Sequence, residues 1–204
     1  MIRTIAEFAP DGVESGVGLA LQDDRGRYLI FLAGTRHQHC AAGELFYAGI
    51  GGHLEAGEDW LECAHREVNE EISTDVEILP ASVTWYVPCE GRAQRVSVRD
   101  RPRPFALYEM IHPPGTPREG QIYRIVIYRA RLQGEPTALQ LEEVRAVLAL
   151  TEEQVIRGLG NKPTLAELLE GGAELVAEQV RIDPGLRLYP LGTASALAQV
   201  LART

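Results

Sequence analysis

The chain has 204 residues, of which 45% are hydrophobic and 24% are charged, a composition typical of a globular protein with a sizeable core. Its 29 acidic and 20 basic residues give a net charge of −9, and so acidic a surface disfavours broad binding to nucleic acids. The chain contains no apolar run of about 18 residues, so we expect no membrane span.

The cysteines and the first residues indicate the compartment. Cys40, Cys63 and Cys89 are widely spaced and form no Cys-x-x-Cys pair, which is typical of reduced thiols and not of a disulfide framework or a zinc site. Residues 1–10 contain no apolar stretch long enough for a signal peptide. We therefore expect a cytoplasmic protein.

In chain order, the pattern alternates between short apolar runs and polar turns. Strands are predicted at 17–22, 27–32, 45–48, 76–79, 83–87, 105–111, 122–132 and 144–150. The first two flank a polar turn and predict a hairpin. Between the third and fourth, Glu58 to Ile72 has a helical period, with an apolar stripe on Leu61, Ala64, Val68 and Ile72.

The last part of the chain is predicted to be mainly helical. Helices are expected from Thr151, over 164–170 and over 193–202, whereas 173–182 fits either a strand or a helix. Several strands around one marked helix predict an α/β (α+β) fold, a mixed sheet with helices packed on it. We expect a domain over 1–160, and over 161–204 a C-terminal extension packed on that domain. This extension could be a dimerisation element, a lid or a closure of the sheet.

The predicted helix carries three carboxylates on one surface. Glu67, Glu70 and Glu71 stand at i, i+3 and i+4, with Glu67 and Glu71 beside the apolar stripe and Glu70 furthest round toward solvent. A cation would relieve their mutual repulsion, and carboxylate oxygens are hard ligands that suit Mg²⁺ or Mn²⁺. The spacing therefore predicts a site for a hard cation.

Residues near these carboxylates fit the same site. Arg66 could orient one glutamate through a bidentate pair. Gly51 and Gly52 permit positive φ and a close approach of the backbone to metal or phosphate. Glu58 is expected at the start of the helix, where a negative charge suits the helix dipole.

Together these residues resemble the Nudix signature. That signature is a glycine, five residues, a glutamate, seven residues, Arg-Glu, an aliphatic residue, one residue, Glu-Glu, one residue, a glycine and an aliphatic residue. The matching positions here are Gly52, Glu58, Arg66, Glu67, Val68, Glu70 and Glu71. The surrounding order of strands is similar to the family's α/β/α sandwich from near Ser15 to near Gly160.

Two positions at the end of the motif depart from the signature. Ser73 replaces the glycine and Thr74 the aliphatic residue. A glycine there would end the helix, so we expect Ser73 to cost about 1 kcal/mol unless the helix ends differently.

The resemblance implies a Mg²⁺-dependent hydrolase, with Mn²⁺ as a substitute, that acts on a nucleoside diphosphate linked to another group. By position, Glu67, Glu70 and Glu71 would ligate one or more ions, and Arg66 would hold these carboxylates. The backbone at Gly51–Gly52 could add a carbonyl ligand, with Gly52 the expected residue. Water would attack at phosphorus, and its proton would go to one of these glutamates or to a carboxylate elsewhere. The general base is not assigned.

Several histidines, aromatic residues and a cysteine are further candidates for the site. His37, His39 and Cys40 lack the second half of a zinc site and are interpreted as a solvated loop. His53 and His65 are expected to be neighbours of the site, not catalysts. Trp85 and Tyr86 are expected in the core.

Two charged segments leave alternatives open. Five arginines form a basic island, which is interpreted as a solvated loop or as a phosphate-binding entry: Arg92, Arg95, Arg99, Arg101 and Arg103. Glu142 and Glu143 could supply a further metal ligand, although an exposed turn is favoured.

Two alternative functions use the same scaffold. A catalytically silent module could sense a nucleotide or nucleotide sugar, but it would not need the intact set of glutamates. An isomerase acting on an organic diphosphate is disfavoured, because no clear catalytic cysteine motif lies near the helix. The identity of the substrate and a homodimeric state are left open.

Overall fold

The computed structural model describes residues 2–36, 40–116 and 118–204. The helices are α1 (Ile5–Phe8), α2 (Trp60–Ile72), α3 (Glu152–Arg157), α4 (Leu165–Glu170) and α5 (Gly192–Leu201). The strands of the first half are β1 (Ser15–Gln22), β2 (Tyr28–Ala33), β3 (Glu44–Ala48), β4 (Val76–Leu79), β5 (Thr84–Val87) and β6 (Gln94–Val96). The remaining strands are β7 (Ala106–Ile111), β8 (Ile122–Leu132), β9 (Val144–Leu150), β10 (Glu174–Glu178) and β11 (Arg187–Pro190).

The strands form one mixed sheet, as predicted. Its main path runs β10-β9-β2-β1-β8-β7-β5-β6, with β3 attached beside β2, β11 beside β3, and β4 beside β8. The central strands β1 and β8 are parallel over their shared length, whereas β1 and β2 form the predicted antiparallel hairpin. Helices α2 and α5 both pack on β1, which places the candidate helix at the middle of the sheet.

The core lies along the middle strands. Every residue of β2 is buried, and β1 is buried from Gly16 to Leu21. A continuous buried run is expected of a strand that is covered on both faces, whereas a half-exposed sheet would alternate. The middle of the sheet is therefore sandwiched, and it gives α2 a rigid support.

Most sequence-based elements are confirmed, and the segment 173–182 is resolved as the strand β10. Three short elements were not predicted: α1, β6 and β11. The helix α1 has four residues and is too short to show a helical period. The strand β6 has three residues and no fully buried position, so it shows no apolar alternation.

The residues after Gly160 complete the sheet. Strand β10 pairs with β9, and β11 runs parallel to β3. Helix α5 packs on β1, β3, β5 and β7. The domain boundary between 160 and 161 stays a prediction. Within the described residues, no helix has the length and apolarity to cross a membrane.

Candidate functional site

Helix α2 begins at Trp60, and its N-cap is Asp59 and not the expected Glu58. Asp59 is the N-cap, and its Oδ1 accepts from the backbone N–H of Leu61 and Glu62 at 2.8 and 2.9 Å. Oε2 of Glu62 accepts a hydrogen bond from the N–H of Asp59, which completes a capping box. The expectation that Glu58 begins the helix is therefore wrong, because Asp59 satisfies the free N–H groups.

Glu58 instead forms an ion pair with Arg66. The Nε and Nη2 atoms of Arg66 donate to the two carboxylate oxygens of Glu58 at 2.8 and 3.0 Å. These hydrogen bonds outweigh the opposing effect of burial and lower the pKa of Glu58. The loop before α2 is thus fastened to the middle of the helix.

Helix α2 ends where the signature expects its glycine. Ser73 has φ 48° and ψ 52°, which is the left-handed region, and its N–H donates to the carbonyl of Asn69 at 3.0 Å. The helix therefore keeps the ending typical of glycine while carrying a serine, at a cost of about 1 kcal/mol.

The three glutamates differ in burial as their spacing predicts. Glu71 is 5% exposed, Glu67 is partly buried, and the side chain of Glu70 is 51% exposed. The N–H of Gly51 donates to Oε2 of Glu71 at 3.3 Å. A Cβ at Gly52 would come within 2.5 Å of Cδ of Glu67. Both glycines thus bring the backbone directly against the carboxylates.

Arg66 contacts three acidic side chains of the motif. Its Nη1 donates to Glu67 at 2.8 Å and to Glu70 at 3.1 Å, and its Nη2 donates to the carbonyl of His53 at 3.0 Å. The hydrogen bonds to Glu58 and Glu67 raise the pKa of Arg66 despite its partial burial. These contacts are those that Arg66 would need in order to position the carboxylates, which stays a prediction.

Burial makes two of the glutamates hard to ionise. It raises the pKa of Glu71 well above its ordinary value, and the nearby charges of Glu67, Glu143 and Glu70 raise it further. Burial likewise raises the pKa of Glu67, although the hydrogen bond from Arg66 opposes this shift. Two buried carboxylates with few donors are suited to a bound cation, which would stabilise their ionised forms.

The carboxylates of Glu67, Glu70 and Glu71 do not converge on one position in the structure. Within the described residues, no group of three His, Cys, Asp or Glu side chains has the geometry of a metal site. Glu67 and Glu70 turn toward Arg66, and Glu71 turns toward Gly51. Ligation by all three glutamates would require Glu67 and Glu70 to exchange contacts with Arg66 for contacts with the ion.

The fold adds Glu143 to this cluster. Its charge raises the pKa of both Glu67 and Glu71. Its side chain is 20% exposed against 69% for Glu142, and the guanidinium of Arg36 pairs with both residues. The favoured interpretation of an exposed turn therefore fits Glu142 but not Glu143. Sequence spacing gives no signal for this, because Glu143 lies far from the motif along the chain.

The carbonyl oxygens of the two glycines differ in availability. That of Gly52 accepts from the N–H of Val17 at 2.9 Å and from the hydroxyl of Tyr123 at 3.1 Å. A carbonyl oxygen has two lone pairs, so both are engaged. Within the described residues, the carbonyl of Gly51 accepts no hydrogen bond. The geometry thus favours Gly51 over the expected Gly52 as a carbonyl ligand.

The basic island lies on and beside β6 and contacts other parts of the fold. Arg95 lies over the ring of the buried Trp85, 5.2 Å from its centroid. Arg103 donates to the carbonyl of Ser82. Among the described residues, no arginine of the island is hydrogen-bonded to the motif. Its role in phosphate binding stays a prediction.

The remaining candidates are histidines and cysteines, of which Cys63 lies within the motif, with its Sγ 3.5 Å from Nη2 of Arg66. His37 and His39 are not described, whereas Cys40 accepts from the hydroxyl of Tyr189 at 3.7 Å. Burial raises the pKa of the Cys63 thiol to about 12, so it is not a nucleophile at neutral pH. His65 is exposed on α2.

Comparisons with known proteins identify the family of this chain. A family model described as NUDIX domain matches residues 13–170. No curated protein matches the chain significantly. Similar solved structures include a NUDIX hydrolase from Nitrosomonas europaea, at 17% identity and TM-score 0.45, covering 70% of this chain and 75% of that one.

Two further solved structures are similar to the same degree. One is a hydrolase of the NUDIX family from Clostridium perfringens, at 14% identity and TM-score 0.46, covering 71% of this chain and 84% of that one. The other is a MUTT protein from Methanosarcina mazei, at 14% identity and TM-score 0.44, covering 71% and 81%. Because the family model matches more than half of the length of this chain, the chain belongs to the Nudix family of hydrolases.

Proposed function

We propose that this chain is a Mg²⁺-dependent hydrolase that cleaves the phosphoanhydride bond of a nucleoside diphosphate linked to another moiety. The observation that carries the proposal is the pair of buried carboxylates, Glu67 and Glu71, packed against Gly52 and Gly51. Burial raises the pKa of each, and ionising two such carboxylates side by side is costly to the fold unless a positive charge compensates them. A bound cation would supply that charge.

Glu67, Glu70 and Glu71 would hold the metal, with the free carbonyl of Gly51 as a further oxygen ligand and Glu143 beside them. A bound Mg²⁺ lowers the pKa of its water and neutralises charge on the diphosphate. Arg66 holds the glutamates through direct hydrogen bonds. The attacking water gives its proton to one of the carboxylates of this cluster, with Glu143 among the candidates because it is the one that stands outside the helix.

The substrate is a small phosphorylated molecule, since the net charge of −9 opposes a polyanionic partner. The test is turnover of a panel with Mg²⁺: ADP-ribose, dinucleoside polyphosphates, nucleotide sugars, NADH, coenzyme A and nucleoside triphosphates. We expect at least one to be hydrolysed between its phosphates, and a chelator to stop the reaction.

The second candidate function is a silent module that senses a nucleotide or nucleotide sugar. Calorimetric binding of the same compounds separates the two functions. Tight binding of one compound without turnover, in a folded sample with Mg²⁺, would support the sensor and reject the hydrolase.

A further inference from the structure

Tyr123 occupies an unusual position beside the motif. It lies on β8, is 7% exposed, and its ring is stacked against two imidazoles. The ring centroid of His53 is 4.7 Å away with an interplanar angle of 24°, and that of His112 is 5.7 Å away at 26°. The hydroxyl of Tyr123 points to the motif and donates to the carbonyl of Gly52 at 3.1 Å.

The two imidazoles are held by one carboxylate. Nε2 of His53 and Nε2 of His112 lie 2.9 and 3.2 Å from the same oxygen of Glu14, and the guanidinium of Arg118 pairs with it too. Burial would raise the pKa of Glu14, but the hydrogen bonds from His53 and Arg118 outweigh it and lower the pKa. Glu14 is therefore ionised. We refer to Glu14, His53, His112 and Tyr123 as the tyrosine clamp.

The space for this hydrogen bond is made by a glycine. A Cβ at Gly16 would overlap both the hydroxyl of Tyr123 and the carbonyl oxygen of Gly52. With Gly16 in place, the Gly52 carbonyl is fixed from two directions, by the N–H of Val17 and by the hydroxyl of Tyr123. Burial also raises the pKa of Tyr123, so its hydroxyl stays protonated and remains a donor.

The fixed segment bears directly on the carboxylates. The N–H of Gly51 donates to Glu71, and Gly52 lies against the carboxylate of Glu67. A shift of Gly51–Gly52 would therefore move the partner of one glutamate and the packing surface of the other. In an ordinary core tyrosine the hydroxyl would donate to any nearby carbonyl, whereas the hydroxyl of Tyr123 donates to the carbonyl of Gly52, within the motif.

We propose that Tyr123 is a positioning residue: held by the tyrosine clamp, its hydroxyl fixes the Gly51–Gly52 segment and so sets the geometry in which Glu67 and Glu71 receive a divalent cation. This inference rests on the metal-binding role proposed above. Tyr123 acts through the backbone of Gly52, to whose carbonyl its hydroxyl donates.

Tyr123→Phe tests the proposal, because it keeps the stacked ring and removes the hydroxyl. Tyr86→Phe is the matched control, since Tyr86 also loses a hydroxyl hydrogen bond, at 2.7 Å to Glu109, but not one to the motif. The readouts are the affinity of the metal-free protein for Mn²⁺ alone, by titration calorimetry, and the thermal midpoint. We expect Tyr123→Phe to weaken Mn²⁺ binding about three- to tenfold, the effect of one lost hydrogen bond, while Tyr86→Phe leaves it unchanged.

Kinetics with a hydrolysed substrate add a second readout. Tyr123→Phe should lower kcat with KM unchanged, and raised Mg²⁺ should partly restore the rate. If Tyr123→Phe does not fold, Glu14→Gln replaces it, since it keeps the shape of the clamp and removes its charge. Unchanged Mn²⁺ affinity in these variants, or an equal loss in Tyr86→Phe, overturns the positioning role alone. A wild-type chain that binds no Mn²⁺ and hydrolyses nothing overturns the proposed function as well.

Discussion

The carboxylate of Glu67 lies directly against the α-carbon of Gly52, in the space that a side chain would occupy. Gly52 lies in the segment between β3 and α2, and Glu67 lies in the middle of α2. This contact therefore locks the helix to the backbone that precedes it. It explains in steric terms why the motif begins with a glycine.

Gly52→Ala should consequently impair the site more than the fold. The new Cβ would push the Glu67 carboxylate aside, and displacements of about 1 Å in a catalytic group can cost about 100-fold in rate. We expect a loss of that order in kcat/KM, measured with a substrate from the panel. Gly185→Ala is the control, because its Cβ would meet only the end of the Asp183 side chain at 3.3 Å. An active Gly52→Ala enzyme would contradict the steric account.

Ser73→Gly should stabilise the protein. Ser73 holds φ 48°, which glycine adopts without the steric cost of a Cβ. We expect a gain of about 1 kcal/mol, seen as a rise of roughly 2–4 °C in the thermal midpoint, with turnover unchanged. Ser73→Ala retains the Cβ and should give no such gain. Equal midpoints for the glycine and alanine variants would show that the left-handed conformation is not strained.

Glu71→Gln should stabilise the metal-free protein while abolishing activity. Because burial raises the pKa of Glu71, its ionised form costs stability, and this cost grows as pH rises through the raised pKa. Thermal midpoints without metal should therefore be higher for Glu71→Gln than for wild type at neutral pH. The difference should narrow as pH falls toward 4.5, the ordinary value for glutamate, because below it the carboxyl is protonated in the folded and the unfolded chain alike.

Glu70→Gln serves as the control for that measurement, since the Glu70 side chain is largely exposed. It should change the midpoint little. A Glu71→Gln variant that is less stable than wild type without metal would show that Glu71 is ionised and well solvated in the fold.

Glu143→Gln and Glu142→Gln separate the two neighbouring acids. Glu143 adds its negative charge to the field at Glu67 and Glu71, whereas Glu142 is largely exposed, and both pair with Arg36. Loss of a group placed in the reaction centre commonly costs about 100-fold in kcat. We expect such a loss for Glu143→Gln and almost none for Glu142→Gln. Equal kcat values for the two variants would remove Glu143 from the site.

The helix and its carboxylates could be predicted because their pattern is local. A period of 3.6 residues fixes the relative directions of Glu67, Glu70 and Glu71, and the structure reproduces their graded burial. The sequence left two endings of the helix open, a strained Ser73 or a different end. The structure has the first, with Ser73 as the left-handed C-cap where the signature has a glycine.

The rest of the site comes from pairings across the sheet. Glu143 reaches α2 because the segment before β9 bonds to the helix end, where the N–H of Gln140 donates to the carbonyl of Glu71. Tyr123 reaches Gly52 because β8 runs beside β1. Neither contact can be predicted from residue spacing, because both residues lie far from the motif along the chain. The pairing of Glu58 with Arg66 is likewise not evident from the sequence, because the helix could begin at either of two adjacent acidic residues and Asp59 is the one that caps it.

The central claim is that the glutamates of α2 hold the cation used in hydrolysis. The most direct measurement is turnover as a function of Mg²⁺ concentration, for wild type and Glu70→Gln, with a hydrolysed substrate and folding checked by circular dichroism. We predict saturable dependence on Mg²⁺ in wild type and a loss of about 100-fold or more in Glu70→Gln. A rate that is independent of Mg²⁺, or a near-normal rate in the folded variant, would contradict the claim.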